Sequence, residues 1–276
     1  MTLAFLVQGF LGAALGTVPV LQEERPAEIA TSVVRLGSAE EQLAHAQILR
    51  STMSRCVGPE RGRRCDEALE AFRAVRRLHP GARAQGAEAS YQAGRMLASA
   101  GRVAEAREEL DSARELGQGS ALGPRSEFEI GRLERRLGRA GEALDAFFAA
   151  ASDPDASRST CDAAWLEVGS LWAEAGRSDD ARRAWRRVAE RGAEPLDRIR
   201  AFDRLGRTWI EAGDLEAAGG VLHECLIELS PLVSEETERG ARTRRALESM
   251  QLVQQLARRI EERRGHEAAK GSPADP

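Results

Sequence analysis

The chain has 276 residues, a formal charge of −4 over 84 charged side chains, 42% hydrophobic but only 4% aromatic residues, and 47 alanines. So much alanine and arginine beside a single tyrosine leaves few of the β-branched and aromatic residues that strands favour, which excludes an all-β fold and argues against a strand–helix–strand cofactor fold. The near-balanced charge offers no general field to nucleic acid, and 39 arginines against one lysine read as the bias of a GC-rich genome, not as a phosphate-binding design.

Residues 1–22 carry no charged side chain. Leu3, Phe5, Leu6, Val7, Phe10 and Leu11 form an apolar run, and Ala14 and Gly16 stand three and one residues before a cleavage point at Thr17. This pattern predicts an export signal, and with it a periplasmic or secreted protein. A retained membrane anchor and a cytoplasmic chain are the alternatives, and membrane contact is expected only if the segment stays attached. Gln8, Gly9, Gly12, Gly16 and Pro19 argue against a permanent membrane helix. Residues 23–37 read as a linker. Ser38 and Glu41 then form a capping box opening a helix that should end near Cys56, because Pro59 falls where it would continue. The stretch VGPERGRR is expected as an irregular loop before a helix at Asp66. Under export, Cys56 and Cys65, one closing a helix and one opening the next, are a candidate disulfide. Cys161 and Cys225 read as buried or partly buried thiols.

A repeat occupies the middle of the chain. Gly94, Gly101 and Ala106 lie seven and five residues apart, and the same intervals recur at Gly131, Gly138 and Ala143, at Gly169, Gly176 and Ala181, and at Gly206, Gly213 and Ala218. Leading glycines are 37, 38 and 37 residues apart, and Ala68, Phe72 and Pro80 mark the second half of a fifth, degenerate copy. Each copy predicts two antiparallel helices. The second glycine ends the first helix, and the leading glycine allows close approach at the repeat alanine. Leu110, Phe147, Trp185 and Leu222, each four residues after that alanine, fall on the same face. One pair cannot bury such faces alone, so the copies must stack. After Pro231 a single long helix is predicted over about 233–264, with Leu247, Met250, Val253, Leu256 and Ile260 as an apolar stripe and Gly265 as its stop. The stripe reads as a cap on the last repeat or, alternatively, as a self-association seam; residues 266–276 read as a tail.

Trp165, Val168, Gly169, Trp172, Gly176, Ala181 and Trp185, followed by Phe202, Leu205, Gly206, Trp209, Gly213, Ala218, Leu222 and Pro231, carry a resemblance to the tetratricopeptide repeat. Two copies depart from it: Ser90 and Ala93 stand where large residues are usual, and Glu134 takes an aromatic place. The resemblance implies an all-α, right-handed superhelical solenoid over residues 38–231, with four clear repeats, one degenerate N-terminal copy and a capping helix over 232–265. The long period is similar to that of periplasmic envelope repeats, the outer-membrane assembly lipoproteins and Tol-Pal coordinators, although no lipid-attachment cysteine follows the apolar run.

No catalytic, metal or cofactor site is expected. His223 and Cys225 are two apart on a helix and cannot converge on one ion, and Gly117 and Gly119 have neither the strand nor the lysine of a phosphate loop. The resemblance implies a non-enzymatic module that binds a protein or peptide along its first helices; an adaptor that is membrane-tethered or cytoplasmic, or an accessory domain of an enzyme system, is the alternative. Carried onto this sequence, the ligand-facing places hold Tyr91, Arg95, Arg125, Phe128, Arg132, Arg135, Arg136, Arg200 and Arg207, with Glu88, Glu174, Asp203 and Glu211 among the acids. Seven arginines against four acids give this set +3, which predicts an anion-preferring groove unless arginine is simply common here. The chain has no asparagine, so the carboxylate clamp of chaperone-binding relatives is not carried over.

Overall fold

The computed structural model describes residues 34–53 and 56–270; among them lie twelve helices and no strand. The predicted signal therefore lies outside the described residues. Ser38 opens α1 (Ala39–Thr52) with a complete capping box: its Oγ accepts the Glu41 N–H at 3.2 Å, and the Glu41 carboxylate accepts the Ser38 N–H at 3.3 Å. Gln42, fully buried, ties residues 34–36 to this helix by donating to the Val34 carbonyl and accepting the Leu36 N–H, both at 3.1 Å. The end of the expected linker is thus hydrogen-bonded structure.

The expected loop before Asp66 is helical instead. Pro59 sits in the first turn of α2 (Gly58–Leu78), where its missing N–H has no intrahelical partner to lose and its fixed φ favours the helix. Cys65 consequently lies about two turns inside α2, buried in the core, while Cys56 lies in the preceding link. Both are free thiols, so the candidate disulfide is not formed.

Four pairs follow: α3 (Arg83–Ser99) with α4 (Val103–Leu116), α5 (Leu122–Arg136) with α6 (Ala140–Ser152), α7 (Arg158–Glu174) with α8 (Ser178–Arg191), and α9 (Pro195–Glu211) with α10 (Leu215–Val233). Each helix packs on its sequence neighbours, and each first helix also touches the next first helix, as in a stacked solenoid. One turn serves all four. Gly101, Gly138, Gly176 and Gly213 have φ between 74° and 81°, a left-handed conformation that strains any side chain. The N–H that follows each glycine closes the turn onto the carbonyl five residues earlier: Arg102 to Leu97 and Arg139 to Glu134 at 3.0 Å, Arg177 to Trp172 at 2.8 Å, Asp214 to Trp209 at 2.9 Å.

The leading glycines are covered by large side chains, not by the repeat alanine. A Cβ at Gly94 would come within 2.7 Å of Leu110, one at Gly131 within 2.7 Å of Phe147, and one at Gly169 would overlap the Trp185 indole. Ala106, Ala143, Ala181 and Ala218 are fully buried beside these contacts. In the fourth pair the expected Leu222 is only half-buried, and Gly206 is covered by Leu252, from beyond the repeats. The two polar departures are satisfied by partners: buried Ser90 accepts from Arg76 at 2.8 Å, and buried Glu134 lies between Arg107 and Arg139.

Two helices replace the single one predicted after Pro231. α10 runs past that proline to Val233; α11 (Glu238–Glu248) and α12 (Gln251–Lys270) follow, the latter continuing through Gly265. The interruption between them shifts the apolar register. Met250 and Leu256 are buried and Leu247 half-buried as expected of the stripe, but Val253 and Ile260 face solvent and Leu252 is fully buried. Both helices pack on α9 and α10, capping the last pair. None of the described helices is long and apolar enough to cross a membrane.

Candidate binding face

The face expected to bind runs along α3, α5, α7 and α9, and burial sorts its residues. Tyr91 is 3% exposed, with the guanidiniums of Arg95 and Arg125 over its ring at 5.5 and 4.9 Å. It is a core residue roofed by two cations. Phe128 is half-buried against Phe147, ring centres 5.4 Å apart. Neither aromatic offers an open ring to a ligand.

Most of the arginines are exposed but engaged. Arg95 and Arg132 share Glu129, at 3.5 and 3.2 Å; Arg135 bridges Glu167 and Glu174 of α7; Arg136 donates to the Ala98 carbonyl at 3.0 Å. Arg200 pairs with Asp197 at 2.8 Å, and Arg207 lies 3.8 Å from Asp203. Glu129, Glu167 and Asp197 stand outside the expected set and neutralise much of its +3 in place. Several of these contacts cross from one first helix to the next, so they position the pairs as well as carry charge.

A register that the repeat reading passed over carries this stitching. Two residues before each leading glycine stand Gln92, Glu129, Glu167 and Arg204. Gln92 accepts from Arg50 at 2.9 Å, Glu129 meets Arg95, Glu167 meets Arg135, and Arg204 reverses the polarity. The change of sign at this one register was the available sequence signal. Arg204 Nη1 donates to the Leu166 carbonyl and the Ser170 hydroxyl, both at 2.8 Å, and burial pushes its guanidinium below its usual value. The same carbonyl accepts the Trp185 indole N–H at 3.2 Å and the Ser170 hydroxyl at 3.0 Å, which joins α7, α8 and α9 at one atom.

Arg207 Nε is buried without a hydrogen-bond partner. Arg204 and Arg207 line two adjoining clefts: one of about 200 Å³ with Ser170, Glu174, Thr208 and Glu211, the other of about 380 Å³ with Arg200, Asp203 and Ser249. Asp203 is committed, since its Oδ1 accepts the Leu252 N–H at 2.7 Å and so caps α12 from another helix. Arg207 is thus the member of the expected set with an unsatisfied buried N–H, and the structure brings Arg200 and Arg207 together at the α9 end of the face. Arg95, Arg125, Arg132 and Arg136 lie along α3 and α5 outside the lining of these clefts, and Arg135 meets the smaller one through its ion pair with Glu174.

Residues 60–121, from α2 to the link before α5, match the model of the tetratricopeptide repeat family. A search of curated protein sequences returns no match. Among solved structures, a MamA protein is similar at 18% identity over 72% of this chain and 97% of its own, with a TM-score of 0.50. A variant of a putative kinesin light chain from Podosopora anserina, with nearly identical tetratricopeptide-like repeats, is similar at 13% identity over 73% of this chain and 100% of its own, also at 0.50. Identities this low speak to fold alone. Residues 60–121 thus match the tetratricopeptide repeat in sequence, and the stacked helix pairs are similar in fold to solved tetratricopeptide-type solenoids.

Proposed function

We propose that the chain is a non-enzymatic scaffold that holds a segment of a partner protein against its first-helix face, anchored at the α9 end. The observation that carries this reading is the Arg204–Arg207 pair. One guanidinium meets only neutral acceptors and the other keeps a buried N–H without any, between two clefts that open side by side. A carboxylate of a bound peptide pairs with the accessible end of the Arg207 guanidinium in a charge-assisted bond, in the place where its own chain offers only Asp203 at 3.8 Å. The paired arginines on α3 and α5 then shape the face instead of driving affinity. A pull-down with Arg207→Glu checks this. Partner capture falls with that variant and persists with Arg132→Glu; equal capture by both removes the α9 anchor.

The compartment proposed for this scaffold is the cell envelope. Support comes from the uncharged apolar run of residues 1–22 and from the likeness of the repeat period to that of periplasmic repeat proteins. N-terminal sequencing of the natively produced protein tests it: a mature chain starting at Thr17 supports export, and an intact Met1 in the cytosolic fraction contradicts it.

A further inference from the structure

The second helix α8 carries a surface that the first-helix reading leaves unused. Its inward side, Ala181, Ala184, Trp185, Val188 and Ala189, is buried. The remainder bears Arg182, Arg183, Arg186, Arg187 and Arg191. Two clefts flank this basic side. One, of about 650 Å³, lies against Leu205 and Trp209 of α9; the other, of about 420 Å³, lies against Arg158, Cys161, Asp162 and Trp165 of α7. Arg187 and Arg191 line both, which makes them one trough.

Each cleft pairs a tryptophan with a stacked guanidinium: Arg182 lies 4.1 Å over the Trp209 ring, and Arg187 4.9 Å over that of Trp165. Stacking fixes the guanidinium plane and leaves its N–H edge available. Ion pairs occupy three of the five arginines: Arg182 with Asp179 at 2.5 Å, Arg183 with Asp180, and Arg186 with Glu224 at 2.5 Å. Arg187 and Arg191 form no ion pair among the described residues, and both are exposed. Asp162, the acid nearest to them in the smaller cleft, is buried and held by the Ala193 N–H at 2.7 Å.

From this arrangement we infer that the α8 trough is a second docking site, and that its occupant is an acidic segment of a partner protein. Charge selects that chemistry: the lining arginines outnumber Asp179, Glu190 and Asp162, and the two without partners sit at the junction of the clefts. Size agrees. The helix has 14 residues, roughly 21 Å at about 1.5 Å per residue, which about six or seven extended residues span at roughly 3.3 Å each. Acidic side chains take Arg187 and Arg191, the first held in place by its stack on Trp165. Duplex nucleic acid fits less well, because the basic surface is one helix long on a chain of net charge −4. This inference shares with the proposed function only the scaffold reading; its residues lie on α7, α8 and α9 away from Arg204 and Arg207.

Fluorescence anisotropy with a labelled hexaglutamate peptide and the full chain tests the site. The peptide binds, weakens as salt rises, loses at least about tenfold in affinity with Arg187→Glu/Arg191→Glu, and is unaffected by Arg207→Glu. Both trough arginines are exposed, so a melting curve equal to that of the unmodified chain separates lost contact from lost fold; Arg187→Gln/Arg191→Gln gives a smaller loss in the same direction. Absence of hexaglutamate binding, or a loss caused by Arg207→Glu and not by the trough pair, overturns the site while leaving the first-helix anchor to its own test. A short DNA duplex or phosphatidylserine vesicles that compete at lower concentration than unlabelled hexaglutamate overturn the assignment of the occupant.

Discussion

The first three clear pairs and the fourth share a sequence pattern but not a source of packing. In the pairs at Gly94, Gly131 and Gly169, the side chain laid across the leading glycine comes from the pair's own second helix: Leu110, Phe147 and Trp185. In the pair at Gly206 it is Leu252 of α12, while Leu222 stays half-buried. A solenoid has no closing contact of its own, and its last unit must borrow one. Here the borrowed element is apolar and also capped from the repeat, through Asp203. The N-terminal pairs are joined differently. Arg73 and Arg76 of α2 meet the buried Glu109 at 2.8 and 3.0 Å, and Arg102 meets Asp66 at 2.5 Å, so at that end ion pairs around a buried carboxylate add to the apolar core of Leu69, Phe72, Val75 and Leu97.

The largest expected effect breaks this contrast directly. Leu252→Ala removes a fully buried side chain and should cost about 3 kcal/mol, whereas Leu222→Ala, the residue the repeat pattern favours, should cost less than about half of that. Urea denaturation of both variants checks the order; a larger loss for Leu222→Ala would return the fourth pair to the common pattern. Next, Gly169→Ala places a methyl group against the Trp185 indole and should destabilise by about 2 kcal/mol. Gly176→Ala meets no neighbour but a φ of 74°, and should cost about 1 kcal/mol by the same assay.

These comparisons also measure what the sequence made legible. The glycine and alanine intervals set the helix pairs and the turns through contacts within one copy, and the regular recurrence of the copies set the stacking. Leu252 was hidden because its place depends on a break at Ser249–Met250 that leaves no proline or glycine in the chain; with an unbroken helix the stripe points Val253 inward instead. Pro59 misled for a related reason, since the same residue ends one helix or starts another, and only the position of α2 decides. On the binding face, exposure and charge of the arginines were readable, but their pairing was not. Glu129 and Glu167 come from a register outside the expected set, and Tyr91 is roofed by Arg95, one turn on in the same helix, and by Arg125 from the next first helix, which is distant in sequence.

Acid sharpens the comparison between the ends. Hydrogen bonds from Arg102 hold the Glu105 carboxyl below its ordinary value of 4.5. A depressed folded value means that stability is present above that ordinary value and is lost as pH falls through the lower folded one. Hydrogen exchange at descending pH below about 4.5 should therefore loosen α2–α4 before α9–α12, and Arg102→Ala should flatten that dependence. Simultaneous loosening of both ends would contradict the distinction. The smallest effect is chemical. Burial pushes the Cys225 thiol up to about 12, in the core shared by α9, α10 and α12, with Met250 sulfur 4.0 Å away. Iodoacetamide at pH 8 should label the half-exposed Cys56 first and spare Cys225, with Leu252→Ala raising the Cys225 rate.

Residue-resolved amide hydrogen exchange of Leu252→Ala tests the borrowed contact most directly. If α12 completes the fourth pair, α9, α10 and α12 lose protection together while α3–α6 keep theirs. Protection lost only within α12, or lost evenly along the whole solenoid, would contradict it.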